Sequence, residues 1–247
     1  MKRVKKMINL LSRLEDAFVY MICLILFLIG IYAMVDSYLV YQHANDDSLL
    51  KFKPGYEGEE PEKEIKGNMV AWITINDTNI DYPVMQGKDN HEYLNKDPYG
   101  EYSLAGSIFL DSRNAPDFTD DYSLIYGHHM EENSMFGELH SFLKKDYFDK
   151  HREGMFTVGE TVYDIHFFAV LDTSATEKHI FAPTEQKMED VLSYVKEHAE
   201  IYDADWAREG NDRIIALSTC SAPDSINRVV GQKLSVTSNS GYGLCQS

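Results

Sequence analysis

Three residue types in this chain could support acyl transfer: a thiol, an imidazole and a guanidinium. Cys220 follows Ile214-Ile215-Ala216-Leu217-Ser218-Thr219, a run that reads as a central strand, and precedes Ser221-Ala222-Pro223-Asp224-Ser225, which cannot continue it. The thiol therefore stands at a strand end facing a loop, a common setting for nucleophiles; the competing assignment is a small buried hydrophobe. His128 follows Gly127 at the end of another strand-like run, Ser123–Tyr126. The glycine permits a sharp exit or a close backbone approach. Arg228 begins the strand after the Cys220 loop. If the strands 213–218 and 228–236 are antiparallel neighbours, the loop returns Arg228 beside Cys220, where a guanidinium favours a thiolate and donates to an oxyanion. Each signal is weak alone. Together they fit attack of a thiolate on a carbonyl, with the imidazolium protonating the leaving amine.

Other chemistries fit less well. The pair His128-His129 could suggest a metal, but adjacent residues on an extended chain point to opposite faces, and neither HExxH nor CxxC accompanies them. No metal or other cofactor is expected. With 23 Lys and Arg against 40 Asp and Glu, the 247-residue chain carries a formal charge of -17, which argues against nucleic-acid binding. Three cysteines are too few for a disulfide-dense mini-domain. Cys23 lies in an apolar helix, and Cys245 lies in a small polar tail, where an accessory thiol is expected.

The elements that must position these groups begin at residue 67. Short apolar runs predict strands at 69–75, 80–85, 107–110, 123–126, 155–158, 161–171, 213–218 and 228–236, with a hairpin turn at Gly159-Glu160. Their spacing suggests an antiparallel sandwich or closed barrel. Ser134–Leu143 and Thr184–Glu200 have helical spacing, the second with a cap at Pro183-Thr184.

The amino-terminal region is different. Residues 1–16 hold five cations and two anions, leaving the remainder at -20. Ala17 to Val35 has no charge and is apolar all round; as a helix it is about 28 Å long, close to a bilayer core. Its length favours an uncleaved anchor over a signal peptide. The basic flank places residues 1–16 in the cytoplasm, 17–35 in the membrane and the chain after Asp36 outside. Residues 36–66 read as a juxtamembrane helix around 36–50 and an acidic linker, and residues 67–247 as one extracellular catalytic domain.

The order Gly127-His128, then Leu217-Ser218-Thr219-Cys220, then Arg228, behind a basic anchor, resembles the sortases of Gram-positive bacteria, which are membrane-anchored cysteine transpeptidases. The similarity runs from about residue 68 to 236. The long segment before the first strand, the helix 184–200 and the stretches 86–94, 105–114 and 134–136 resemble class B. A DP(W/F/Y)G lid, typical of class C, is absent from 42–64.

The resemblance implies a mainly β fold: a closed eight-stranded barrel with added helices, preceded by one transmembrane helix. It implies Cys220 as nucleophile, His128 as general acid/base and Arg228 as the residue holding substrate backbone and oxyanion. Asn90, Leu94, Ser218 and Thr219 would line the peptide groove, and the segment 172–183 would shape its wall. The implied reaction cleaves a carboxy-terminal sorting signal of the LPxTG or NPxTN kind after Thr. The implied partners are surface proteins or pilins bearing that signal, and an amine from a peptidoglycan precursor or a pilin lysine. The residues alone leave two rivals: a peptidase using water as acceptor, and a non-catalytic surface domain.

Overall fold

A computed structural model describes residues 2–44, 47–130, 134–207, 213–220 and 227–236. For Lys2, Val4, Ile8, His43, Cys220 and 227–236 it describes the backbone alone. The loop 221–226 and the tail with Cys245 lie outside the described residues.

The chain divides into two compact units, Met1–Gln42 and His43–Ser247. The first is built by helix α1 (Lys2–Ala44), whose last two residues belong to the second unit. Its side chains from Ala17 to Val35 are all exposed, Cys23 among them. Among the described residues this is the one helix long and apolar enough to cross a membrane. No break occurs at residue 36, so the helix predicted to start there is a continuation of α1, followed by a 3-10 turn at Asp47–Phe52.

The second unit is a sheet of nine strands. They are β1 (Met69–Ile75), β2 (Asp81–Gln86), β3 (Ile108–Leu110), β4 (Tyr122–Gly127), β5 (Glu153–Val158), β6 (Thr161–Thr173), β7 (Ile201–Tyr202), β8 (Ile214–Cys220) and β9 (Asn227–Val236). Their order is β5-β1-β2-β3-β4-β8-β9-β6-β7, and β5 also pairs with the first part of β6. The mainly β, barrel-type expectation holds, but its details change. The ladder is uneven: β3 has three residues, and only Thr161–His166 of β6 meets β5. A strongly curled nine-stranded sheet thus replaces the closed eight-stranded barrel that was expected. The two-residue β7 escaped prediction because a strand so short has no periodicity to read.

Two pairings, β2–β3 and β4–β8, are parallel, which corrects the all-antiparallel expectation. Parallel neighbours need a crossover, here the long connections 87–107 and 128–213, rather than a hairpin. The β5–β6 hairpin closes as predicted on Gly159-Glu160, with Val158 opposite Thr161 and Gly159 at φ +57°.

Two apolar layers flank the central strands. Inside the curl, Ile73, Val84, Ile125, Phe156, Phe167, Ile215 and Leu217 are wholly buried. On the other face Leu124, Phe168, Leu171 and Ala216 pack under the helix that carries Val191 and Val195. Burial on both faces explains why 165–171 and 214–217 read as continuous apolar runs instead of alternating ones.

The helices are shorter than predicted. Gly137–Leu143 is a 3-10 segment; Met135 before it has φ +53° and donates its N–H to the Tyr82 hydroxyl. A Cβ at Gly137 would lie 2.0 Å from the Met130 carbonyl oxygen, so only glycine fits there. The unpredicted α2 (Lys145–His151) follows at once. Another unpredicted turn, α3 (Lys178–Phe181), comes before α4 (Met188–His198), which starts four residues later than Thr184 and has no side-chain cap.

At the entry to this unit Leu49 is buried with Trp72 and Tyr99. Asp81 accepts from Trp72 Nε1 at 2.6 Å, Thr74 Oγ1 at 2.8 Å and Lys53 Nζ at 2.7 Å, fastening the incoming segment to β1 and β2.

Candidate active site

Two neighbouring rows of backbone positions cross the end of the sheet. In the first, Gly127 on β4 pairs with Thr219 on β8, Thr219 with Arg228 on β9, and Arg228 with Asp172 on β6. In the second, Cys220 pairs with Asn227, and Asn227 with Thr173. His128 is the residue after Gly127, so it continues the second row. The ladder thus brings Cys220, His128 and Arg228 to one sheet end, from chain positions roughly ninety residues apart. It also alters one detail: Asn227, not Arg228, is directly opposite Cys220. Arg228 is one step along, opposite Thr219. The strand begins one residue earlier than predicted, and a one-residue change in register exchanges which neighbours face each other. Asp172, the residue opposite Arg228 on its other side, was missed, because cross-strand partners depend on register.

His128 leaves the strand at a crowded point. A Cβ on Gly127 would lie 2.5 Å from Ile108 Cδ1 and 2.6 Å from the Phe136 ring. The imidazole is half-buried, and its Nε2 is 2.7 Å from the Leu94 carbonyl oxygen. A carbonyl only accepts, so Nε2 carries the hydrogen, and in the neutral ring Nδ1 is the nitrogen able to take a proton. Leu94 contributes its backbone to this contact and its side chain to the apolar cluster of Met85, Tyr93 and Phe109. Gly106, at φ +61°, lets the following loop pass close behind: a Cβ there would be 2.5 Å from the same carbonyl oxygen.

Ser218 and Thr219 are each 1% exposed, and neither hydroxyl has a hydrogen-bond partner among the described residues. Buried unpaired hydroxyls are costly and uncommon. Asn90 is held at both ends of its amide: its Nδ2 donates to Asp111 at 2.9 Å and its Oδ1 accepts from Ser112 N at 2.7 Å. Its visible work is to hold the loop after β3.

That loop centres on Asp111, which sequence inspection passed over. Its side chain is 0% exposed and accepts five hydrogen bonds: from Asn90, from the Tyr126 hydroxyl at 3.0 Å, and from Arg113 through N, Nε and Nη2. Burial acts to raise its pKa, but the donors from Arg113, Asn90 and Tyr126 outweigh this and hold it below the ordinary value. Tyr126 moves the other way: burial, with the Asp111 charge, raises its pKa. Arg113 Nη2 also reaches the Phe181 carbonyl at 2.7 Å. A charged pair closing an apolar run, Asp111-Ser112-Arg113-Asn114, was the available signal.

Among the described residues no cluster of three or more His, Cys, Asp or Glu side chains could hold a metal ion.

A sortase domain model matches residues 73–235, which include both rows of the sheet end and the Asp111 loop. The chain belongs to the sortase family. Sortase B of Listeria monocytogenes is 41% identical over 160 residues, 64% of this chain and 65% of that protein, so the match spans just under two thirds of the relative's length. A Streptococcus pyogenes class B sortase involved in pilus biogenesis is similar in structure, with TM-score 0.62 and 39% identity, over 69% of this chain and 93% of that one. A Staphylococcus aureus sortase B–substrate complex gives TM-score 0.63 and 31% identity, over 70% and 82%. Sortases are cysteine transpeptidases, and this sortase is class B-like.

Proposed function

We propose that this sortase is a membrane-anchored transpeptidase with Cys220 as nucleophile, His128 as general acid/base and Arg228 as the oxyanion and substrate-backbone residue. The observation that carries the reading is the ladder register, in which Gly127, Thr219 and Arg228 share a row, with His128 and Cys220 next to it. The thiolate attacks the Thr carbonyl of a sorting signal. Arg228 stabilises the charge that develops on the carbonyl oxygen. Collapse breaks the peptide bond, His128 protonates the departing amine, and a thioester remains on Cys220. An acceptor amine then attacks the thioester, forming a new amide and releasing the thiol. Asn90, Leu94, Ser218 and Thr219 line the groove, and 172–183 form its wall.

The signal is of the LPxTG or NPxTN kind, carried by a surface protein or a pilin. The acceptor is an amine of a peptidoglycan precursor or a pilin lysine, wall anchoring being the general description. Residues 1–16 are cytoplasmic, 17–35 cross the membrane, 36–66 form the juxtamembrane segment and 67–247 act outside the cell. Signal-bearing substrates and lipid-linked amines are then held at the same surface as the enzyme.

Intact-mass measurement with a small library of sorting-signal peptides tests this. The expected result is an acyl adduct on the wild type, absent in Cys220→Ala and discharged to an amide product by an added amine. An alkylatable thiol that forms no adduct with any peptide would overturn the reading. Discharge to water alone, with amine present, would make it a peptidase.

A further inference from the structure

Helix α3 lies in the proposed substrate wall and is only one turn long, so the carbonyls at its carboxy-terminal end have few partners within the helix. Two of them are satisfied from elsewhere. The Ile180 carbonyl accepts from the Tyr122 hydroxyl at 3.1 Å, and the Phe181 carbonyl accepts from Arg113 Nη2 at 2.7 Å. Tyr122 is a strand residue under the wall. Arg113 comes from the loop after β3, where its fork is held on both oxygens of Asp111, Nε at 2.8 Å and Nη2 at 2.7 Å. The same carboxylate receives the hydroxyl of Tyr126, two residues before His128, and the Tyr126 ring is stacked at 6.5 Å on Phe181. One buried anion therefore joins the wall, the Asn90 loop and the strand that presents His128.

We propose that Arg113 is a positioning residue that straps the substrate wall to the Asp111 hub and so sets the width of the groove between α3 and the end of β4. This rests on the transpeptidase reading for what the groove holds, but the strap itself is a property of the fold. A guanidinium suits the task because one planar group can meet both carboxylate oxygens while a second Nη2 hydrogen reaches the carbonyl. An ammonium offers the charge without the fork. Arg113 is 38% exposed, so its removal opens no hole in the core.

The test compares wild type, Arg113→Ala and Arg113→Lys by three measurements. Amide hydrogen exchange reads the strap without substrate: in Arg113→Ala, residues 178–183 exchange faster while β4 and β8 are unchanged. Alkylation of Cys220 by a small reagent reads the thiol, and its rate stays close to that of wild type, as expected for a group that acts on the wall. Kinetics over a panel of sorting peptides reads the groove. Loss of one charge-assisted hydrogen bond predicts a KM about tenfold higher for the best peptide, with kcat changed less and discrimination among peptides reduced. Arg113→Lys falls between the two.

Unchanged exchange at 178–183 overturns the strap. Equal losses in exchange protection across the whole sheet, or a fall in kcat and thiol reactivity with KM unchanged, overturn it in favour of general structural support. If the wild type forms no acyl adduct, the transpeptidase reading fails, and the exchange result still decides the strap.

Discussion

Two aspartates do similar work at two places in the second unit. Asp81 gathers Trp72, Thr74 and Lys53 where the chain enters the sheet, and its side chain remains 30% exposed. Asp111 gathers Asn90, Tyr126 and Arg113 beside the site and is wholly buried. The first binds one local segment to one hairpin. The second joins its own loop to two elements distant in sequence, one of which carries the proposed general acid/base. A carboxylate with several lone-pair directions is a compact way to join polar groups from different segments, but burial decides how much depends on it.

The comparison breaks most directly by removing each carboxylate. Asp111→Ala leaves Asn90, Tyr126 and Arg113 donors without their acceptor, and a loss of about 3 kcal/mol is expected. Asp81→Ala orphans the Trp72 indole N–H but leaves Lys53 near water, and a loss of about 1–2 kcal/mol is expected. Urea denaturation of the two variants checks the order. Equal losses would mean that burial does not separate the two hubs.

Acid sharpens it next. The pKa of Asp111 is lowered in the folded chain, so the unfolded chain binds the proton first as pH falls. Its contribution is complete above the ordinary carboxylate pKa of about 4 and disappears as pH falls through the lowered value. Asp111→Asn is therefore expected to flatten the decline in stability below about pH 4, measured as melting temperature against pH. An acid decline as steep as wild type would count against a charged Asp111.

The smallest effect belongs to Lys53→Ala. Its pair with Asp81 is about one-third exposed on both sides and should contribute less than about 1 kcal/mol. The expected signature is greater protease sensitivity near 47–56 with the melting transition almost unmoved.

Legibility in the sequence followed locality. Eight strands were readable because β-branched and aromatic runs end in turn residues, and Gly159-Glu160 announced its own hairpin. The three positions were proposed from the sequence because each lies at or next to one end of a strand. What escaped depends on partners elsewhere in the chain. Asn227 rather than Arg228 opposite Cys220 is a matter of register. The parallel β4–β8 pair is a matter of topology. Asp111 looked like one acidic residue among many until folding brought Asn90 and Tyr126 to it, beside Arg113 of its own loop. The helix read over 134–143 gave way to a 3-10 segment because Met135 and Gly137 are tied to Tyr82 and packed against Met130, contacts with no trace in periodicity.

The parallel union of β4 with β8 has a kinetic corollary. Gly127 and Thr219 meet only after the intervening hairpin and helices have been laid down, and such long loop closures are slow to form. A half-folded chain holds its sulfur and its imidazole on unconnected pieces. Competence for the proposed chemistry is then expected only once that crossover has closed, which keeps the newly made chain inert until then.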